Sequence, residues 1–467
     1  MTAWHLEALA TATPMPYWLD RPDAPAPAPS LVGPAEADLL IVGGGFTGLW
    51  AAIQALEDDP SRDVVVLEGD RVGWGASGRN GGFLEASITH GEENGRSRWP
   101  EEYPTLHELG AANYAGLKAA LHRYGIDCAF EETGVIAVAR AEHEVGWLQD
   151  GPSEAAEVGD EAVWLDRDAM RAEVDSPTYL GGLWMKTGNA LVDPARLAFG
   201  LRRVALGLGA RLHEHSAVTR LHDDGATVLA ETALGHVRAR RAVLGTNAYP
   251  PLLRRIGAYV VPVYDYVLVT EPLGEAERTA IGWRNRQGLA DCTNQFHYYR
   301  PTDDGRILWG GYDAVYHFRN GFGPRYEQRA ATHELLARQF FDTFPQLAGT
   351  VRFSHRWGGA IDTCSRFSVF FGTAHDGKTA YAAGYTGLGV GATRFGARVA
   401  LDLCDARETE ATRTAFVRTK PVPFPPEPLR YAGITLTRRE LARADRNAGR
   451  RGLWLRGLDR LGLGFDS

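Results

Sequence analysis

One stretch near the start of the chain limits the fold more than any other. Residues Asp38 to Ala52 read Asp-Leu-Leu-Ile-Val-Gly-Gly-Gly-Phe-Thr-Gly-Leu-Trp-Ala-Ala, and Asp63 to Glu68 read Asp-Val-Val-Val-Leu-Glu. A short apolar run of β-type residues predicts a buried strand. Gly43, Gly45 and Gly48 then fall at G-x-G-x-x-G spacing, where a helical pattern takes over. That spacing suits a sharp turn at Gly43, close backbone approach to a pyrophosphate at Gly45, and tight helix-on-strand packing at Gly48. The helix N-terminus, with Phe46 and Thr47, adds free N–H groups and partial positive charge. A second buried strand ends in Glu68, an acceptor placed for a ribose hydroxyl, with Gly69 after it. Strand, glycine turn, helix and strand-end acid together predict a dinucleotide site. The alternative is a tight βα turn that holds no ligand.

The other bulk properties mainly exclude. With 467 residues the chain is long enough for two domain-sized cores, and 44% hydrophobic with 23% charged residues is an ordinary globular balance. A net charge of −8 offers no basic footprint for nucleic acid. Cys128, Cys292, Cys364 and Cys404 lie far apart, so neither a zinc site nor a disulfide framework is signalled, and free thiols suit a reducing compartment. His213-Glu214-His215 reads as a polar strand face, so no metal is expected. No apolar run reaches the roughly 18 residues of a membrane span, and no secretory leader is visible, so a cytoplasmic location is expected.

Read in order, residues 1–36 form a proline-punctuated, extended leader, and 37–125 the first part of the nucleotide domain, including a long helix from Tyr103 to Tyr124. Within it, Gly73 to Phe83 carries five glycines in eleven residues, directly after the ribose strand, where the second half of a dinucleotide would lie. Residues 126–190 open a second domain. The nucleotide domain resumes at 191–255, with a helix from Asp193 to Leu208, a run of short strands, and Gly245-Thr246-Asn247. Residues 256–354 return to the strand-rich second domain. Residues 355–405 complete the nucleotide domain with a buried strand, the turn Gly384 to Val390, and a helix whose N-terminus again points at negative charge. Residues 406–467 are a proline-rich linker and an arginine-rich amphipathic helix, which is a docking element, a partner surface or a membrane-surface helix. The predicted fold class is α/β: a Rossmann-type domain interleaved with an α+β domain built on an antiparallel sheet.

Four motifs in this order resemble the D-amino-acid oxidase, glycine oxidase and sarcosine oxidase superfamily of FAD enzymes, and among them the γ-glutamylputrescine oxidase-like group. They are Gly43 to Gly48, Gly75-Ala76-Ser77-Gly78-Arg79-Asn80-Gly81-Gly82, Gly245-Thr246-Asn247-Ala248 and Ala383 to Gly389. The resemblance implies that Gly43, Gly45 and Gly48 carry the FAD pyrophosphate and Glu68 the adenosine ribose. It places Ser77 to Gly82 along the flavin and gives backbone atoms at Val218 to the adenine. Gly384, Tyr385, Thr386, Gly387, Leu388, Gly389 and Val390 would surround the pyrimidine end of the ring. The implied reaction is oxidation of an amine or amino acid: hydride transfer from the carbon beside nitrogen to flavin N5, imine hydrolysis, and reoxidation by O2 to H2O2. A dehydrogenase or monooxygenase is the alternative, because some members activate oxygen with a lysine, and Lys118, Lys186, Lys378 and Lys420 all lie outside the flavin motifs. Covalent members use a cysteine just after the tryptophan-glycine strand; here Cys364 falls several residues late, so FAD is expected to be noncovalent.

Catalytic candidates come from segments expected to cover the flavin face. Alternation places Tyr298 and Arg300 on one face of a strand and Tyr299 on the other. Tyr298 would supply an aromatic wall and Arg300 a partner for a substrate carboxylate; the alternatives are a core tyrosine and a solvated arginine. His90 would reach the ring, or else sit in the core, and Asp362 would bind a cationic amine, or else hold a turn.

Overall fold

Two sheets organise the computed structural model, which describes residues 4–464. The first has eight strands. Its central run, in spatial order, is Phe370–Ala374, Thr379–Ala383, Gly235–Leu244, Gly33–Val42, Val64–Leu67 and Arg211–His213, and the hairpin Arg220–Asp224/Thr227–Glu231 adds to the edge of Gly235–Leu244. Gly33–Val42 pairs in parallel with both Gly235–Leu244 and Val64–Leu67. Parallel strands covered on both faces need apolar side chains on both, which is why Leu39 to Val42 and Val64 to Leu67 are continuous apolar runs and are buried throughout. Helix Phe46–Asp58 packs between this sheet and the helices Pro194–Gly207 and Gly389–Cys404, and residues 46–56 are all buried. Helix Pro194–Gly207 starts as its sequence dictates: Asp193 caps it by accepting a hydrogen bond from the Arg196 N–H at 2.9 Å, with Pro194 in the first turn.

The second sheet has nine strands, ordered Val315–Tyr316, Val261–Thr270, Ile307–Gly311, His297–Pro301, Gly288–Asp291, Val135–Ala139, Gly181–Met185 and Ala162–Asp166, with Phe353–Thr363 also paired to Val261–Thr270. All its pairings are antiparallel except Gly288–Asp291 with Val135–Ala139. Its core is aromatic, centred on Tyr266, Tyr299, Trp309, Phe340 and Phe344. The fold class is thus α/β with a predominantly antiparallel second sheet.

Several boundaries differ from the sequence-based expectation. The leader is not wholly extended: Trp4–Leu9 is a short helix packed on helix Ala330–Thr343, and its first three residues lie outside the described range. Phe353–Thr363, expected to open the last nucleotide segment at 355, pairs antiparallel along Val261–Thr270 with a register shift between Val269 and Thr270, and the chain rejoins the first sheet only at Phe370. The arginine-rich tail forms two helices, Leu429–Arg446 and Leu453–Arg460, rather than one; its last three residues also lie outside the described range. The break falls at Asn447 to Gly452, where Ala448 and Gly449 adopt positive φ.

Candidate functional site

The glycine turns meet in space. Gly43 adopts φ +110°, a conformation that suits glycine, and a Cβ there would come 2.5 Å from the Gly245 carbonyl oxygen. A Cβ on Gly48 would overlap the Gly43 carbonyl, and one on Gly45 would sit 2.9 Å from Ser77 Oγ. Ser77 Oγ accepts the Phe46 N–H at 2.9 Å, so the Gly73–Phe83 loop is stitched to the first helix N-terminus. The last turn joins the same cluster: Thr47 Oγ1 donates to the Tyr385 hydroxyl at 2.9 Å. Gly43, Gly245 and Tyr385 are thus adjacent although some 340 residues of chain separate the ends (385 − 43 = 342).

Between these turns runs a single cavity of about 1670 Å³. That exceeds the roughly 300–1,000 Å³ of an ordinary small-molecule pocket and leaves room for a dinucleotide and a small substrate together. Its walls are lined by Glu68, Gly69 and Val218, by Gly45, Thr47, Gly75 to Ser77 and Thr246, and by Arg79 to Gly81, Asp362 and Tyr385 to Val390. The lining includes Gly43, Phe46, Gly245 and Asn247. Gly48, Gly82 and Gly384 do not line it: they support it from behind, and a Cβ on Gly384 would press on Cys364 Sγ at 2.9 Å. Glu68 Oε2 accepts from Gly44 N at 2.6 Å and Oε1 from Asp70 N at 2.8 Å, which fixes the carboxylate beside the first turn. The glycine cradle, two helix N-termini and the strand-end acid fit a dinucleotide's phosphates and ribose.

The catalytic candidates divide. Tyr298 lines the cavity, T-shaped against Phe83 at 5.8 Å, and donates its hydroxyl to Asp265 Oδ2 at 2.5 Å. Burial holds Asp265 well above the usual carboxylate range, at about 6. Tyr299 points away and donates into the opposite core toward Asp291. Arg300 does not reach the cavity. It is 1% exposed, and its guanidinium donates to the Val192 carbonyl at 2.7 Å and the Gly82 carbonyl at 3.3 Å, so it braces the backbone behind the glycine loop instead of meeting a ligand. His90 is on the wall, at φ 65°; its Nδ1 has no partner, and burial lowers its pKa to about 4, so it is neutral. Asp362 also lines the wall, but Oδ2 accepts the Gly384 N–H at 2.7 Å and its backbone carbonyl accepts the Thr386 N–H at 3.3 Å. Burial still raises it to about 6. Its geometry is that of a turn-holder at the edge of the cavity. Cys364 is fully buried, its thiol 3.2 Å from the Ser368 carbonyl and 3.4 Å from that of Gly384.

Three features escaped the sequence reading. Glu85, on the strand Phe83–Glu85, lines the cavity. So does Asp265, hidden in an apolar strand where it reads as a solvent-face residue. The third is the roof. Ile434, Arg438 and Leu441 of the first tail helix and Trp454, Leu455 and Leu458 of the second all line the same cavity. The tail is fastened around its rim: Arg438 to Asp313 at 2.9 Å, Asp445 to Asn294 Nδ2 at 2.5 Å and to Gln295 N at 3.0 Å, Glu427 to the Tyr316 hydroxyl at 2.5 Å, and Arg98 Nη1 to the Gly462 carbonyl at 2.5 Å. An amphipathic helix announces that one face is covered but not by what; here that face is the ceiling of the cavity. Among the described residues no helix is long and apolar enough to cross a membrane.

Comparison with known proteins agrees with this geometry. Residues 38–403 match the family described as DAO, FAD dependent oxidoreductase. The chain is 32% identical over 422 residues to the gamma-glutamylputrescine oxidoreductase of Escherichia coli (strain K12), covering 88% of this chain and 92% of that protein. It is 22% identical over 355 residues to sarcosine oxidase subunit beta of Rhodobacter capsulatus, covering 73% and 78%. Among solved structures, glycine oxidase from Geobacillus kaustophilus superposes with a TM-score of 0.69 at 20% identity, over 82% of this chain and 99% of that one. With the glycine turns converged on one cavity and the match running from the first of them to the end of the last helix, this chain belongs to the DAO family of FAD-dependent oxidoreductases.

Proposed function

We propose that the protein is an oxidase of a small amine or amino acid. The carrying observation is that the FAD cavity does not end at the glycine turns. It continues into a chamber walled by Tyr298, Phe296, Tyr312, His90 and Asp265 and roofed by the tail helices. The likeness to a gamma-glutamylputrescine oxidoreductase along nearly the whole chain supports an amine as the substrate. When bound, FAD would accept hydride from the carbon beside the substrate nitrogen; the imine so formed would take up water to give a carbonyl compound and ammonia or a smaller amine, and the two electrons would pass with two protons to O2 as H2O2.

The chain's own residues set the conditions. Gly43, Gly45 and the helix beginning at Phe46 hold the pyrophosphate, and Glu68 holds the adenosine ribose. Asp362 organises the Gly384–Thr386 turn ahead of helix Gly389–Cys404, whose N–H groups and positive dipole would stabilise negative charge on the flavin. Tail helices lining the chamber would reduce its contact with bulk water, and a drier chamber lowers the pKa of the reacting amine and delivers that nitrogen in the neutral form that releases hydride. No covalent tether is proposed, because the Cys364 thiol is occupied by two carbonyls and burial raises its pKa.

A dehydrogenase is the second reading. It is favoured by one observation: Lys118, Lys186 and Lys378 are paired with Glu132, Glu161 and Asp223 away from the cavity, and Lys420 is exposed, so no lysine lines it among the described residues. Anaerobic mixing with an amine panel tests the proposal. Loss of the oxidised-flavin absorbance followed by stoichiometric peroxide on re-aeration supports the oxidase; bleaching without oxygen-driven recovery supports the dehydrogenase. No bleaching by any amine defeats both.

A further inference from the structure

We propose that the Glu85 carboxylate seats a second, remote ammonium of the substrate, distinct from the neutral nitrogen beside the carbon that is oxidised, so that the molecule oxidised here brings a positive charge into the chamber. This rests on the amine reading above and narrows it to cationic amines held by a carboxylate.

Five carboxylates line the cavity among the described residues: Glu68, Glu85, Asp265, Asp362 and Asp459. Four are spent on the protein. Glu68 holds Gly44 and Asp70 amides, Asp265 holds Tyr298 and its neighbour's amide, Asp362 holds the Gly384 turn, and Asp459 pairs with Arg451 at 2.7 Å. Among the described residues the Glu85 side chain has neither a hydrogen-bond partner nor a cation beside it, and desolvation raises its pKa to about 7. Its position is nevertheless rigid. The strand Phe83–Glu85 pairs with Asn189–Leu191, and the Glu85 carbonyl is packed against Gly391, in the first turn of the helix that follows the flavin turn. A carboxylate on a cavity wall that no protein group completes is left open to a ligand, and glutamine or leucine of similar size would carry no charge to complete. Keeping an acid on this wall makes physical sense if a cation completes it. No cluster of His, Cys, Asp and Glu suited to a metal exists among the described residues, so an organic ammonium, with its several N–H donors, is the cation that fits. His90, which also lines the cavity, is neutral and adds no competing positive charge.

The test uses FAD-loaded Glu85→Gln and Glu85→Leu with wild type as reference, titrated anaerobically with 1,4-diaminobutane while flavin reduction is followed, and with butylamine, which has no second nitrogen, as the control. Losing a charge-assisted bond raises the 1,4-diaminobutane concentration for half-maximal reduction by about 30-fold in Glu85→Gln, with a smaller change in the limiting rate and little change for butylamine. Both variants are expected to keep FAD and to melt near the wild-type temperature, since no side-chain bond of Glu85 to the protein is lost among the described residues. Unchanged 1,4-diaminobutane dependence in Glu85→Gln overturns the assignment while leaving the oxidase reading intact. Loss of folding or of FAD in either variant also overturns it, because it would make Glu85 a structural residue. Failure of wild type itself to be reduced by any amine removes the amine reading, and the ammonium seat with it.

Discussion

Gly43→Ala attacks the point where two glycine turns touch. A methyl group at position 43 would lie 2.5 Å from the Gly245 carbonyl oxygen and 3.1 Å from its carbon, and both are backbone atoms that cannot rotate away. Ordinary contact begins at 3.4 Å, so the two turns must separate by about 0.9 Å (3.4 − 2.5). They are tied by the Gly245 N–H to Val42 carbonyl bond at 2.9 Å, which a shift of that size stretches to about 3.8 Å, past the useful range. Losing it costs about 1 kcal/mol. Forcing alanine to φ +110° adds roughly 1–3 kcal/mol. The sum is about 3 kcal/mol, which, falling on the pyrophosphate cradle, weakens FAD binding on the order of 100-fold. Titrating apoprotein with FAD by quenching of flavin fluorescence measures this directly. Gly207→Ala is the matched control, being helical, without positive φ, and free of any atom within 4 Å of the new methyl. If Gly43→Ala binds FAD within threefold of wild type, the two turns are not the rigid, mutually spaced cradle described above.

Other consequences are smaller in scope. Removing residues 429–467 should leave FAD bound but raise the amine KM at least about tenfold, since the chamber loses its ceiling and admits water; an unchanged KM would make the tail a bystander. Asp362→Ala strips the Gly384 turn of its acceptor and should cost about 2 kcal/mol of folding stability, read by chemical denaturation, with the flavin spectrum shifted; a wild-type spectrum and stability would contradict that role. His333 is 1% exposed and its folded pKa is lowered to about 4, so the stability it contributes is complete above its unfolded value near 6.5 and is lost as pH falls toward 4. That loss approaches about 3 kcal/mol, and His333→Phe should flatten the acid limb of the stability profile. Denatured holoprotein should release its flavin to the supernatant, because Cys364 is engaged elsewhere; colour in the pellet would establish a tether.

The cofactor half was legible because phosphate binding demands backbone geometry, and backbone geometry demands glycine. Gly43, Gly45 and Gly48, the Gly75–Gly82 loop and Gly384 to Gly389 announce themselves by residue type alone, and the apolar runs beside them mark parallel strands. The substrate half follows weaker rules. Alternation separated Tyr298 from Tyr299 correctly, yet Arg300, on the same face as Tyr298, ends against the Val192 and Gly82 carbonyls, since alternation gives a face and not a depth. Asp362 was expected either to bind an amine or to hold a turn, and its bonds to the Gly384 turn cross 22 residues that no local pattern links. Strand Phe353–Thr363 has the same period whichever sheet it joins, so its partner could not be read from the chain. The tail showed an amphipathic face without showing what it would cover. Glu85 carries no motif, and its isolation is visible only when the other four acids on the wall are each seen to be occupied.

The central claim is that three glycine turns, far apart in sequence, grip one FAD whose ring opens into a chamber closed by the second sheet and the tail. A crystal structure of the purified yellow protein tests it most directly. It should show one FAD per chain in simultaneous contact with Gly45, Ser77 and the Tyr385–Gly389 turn, with Tyr298 and the roof helices across the chamber from the ring. FAD held by the first turn alone, or a colourless protein whose cavity excludes flavin, would contradict it.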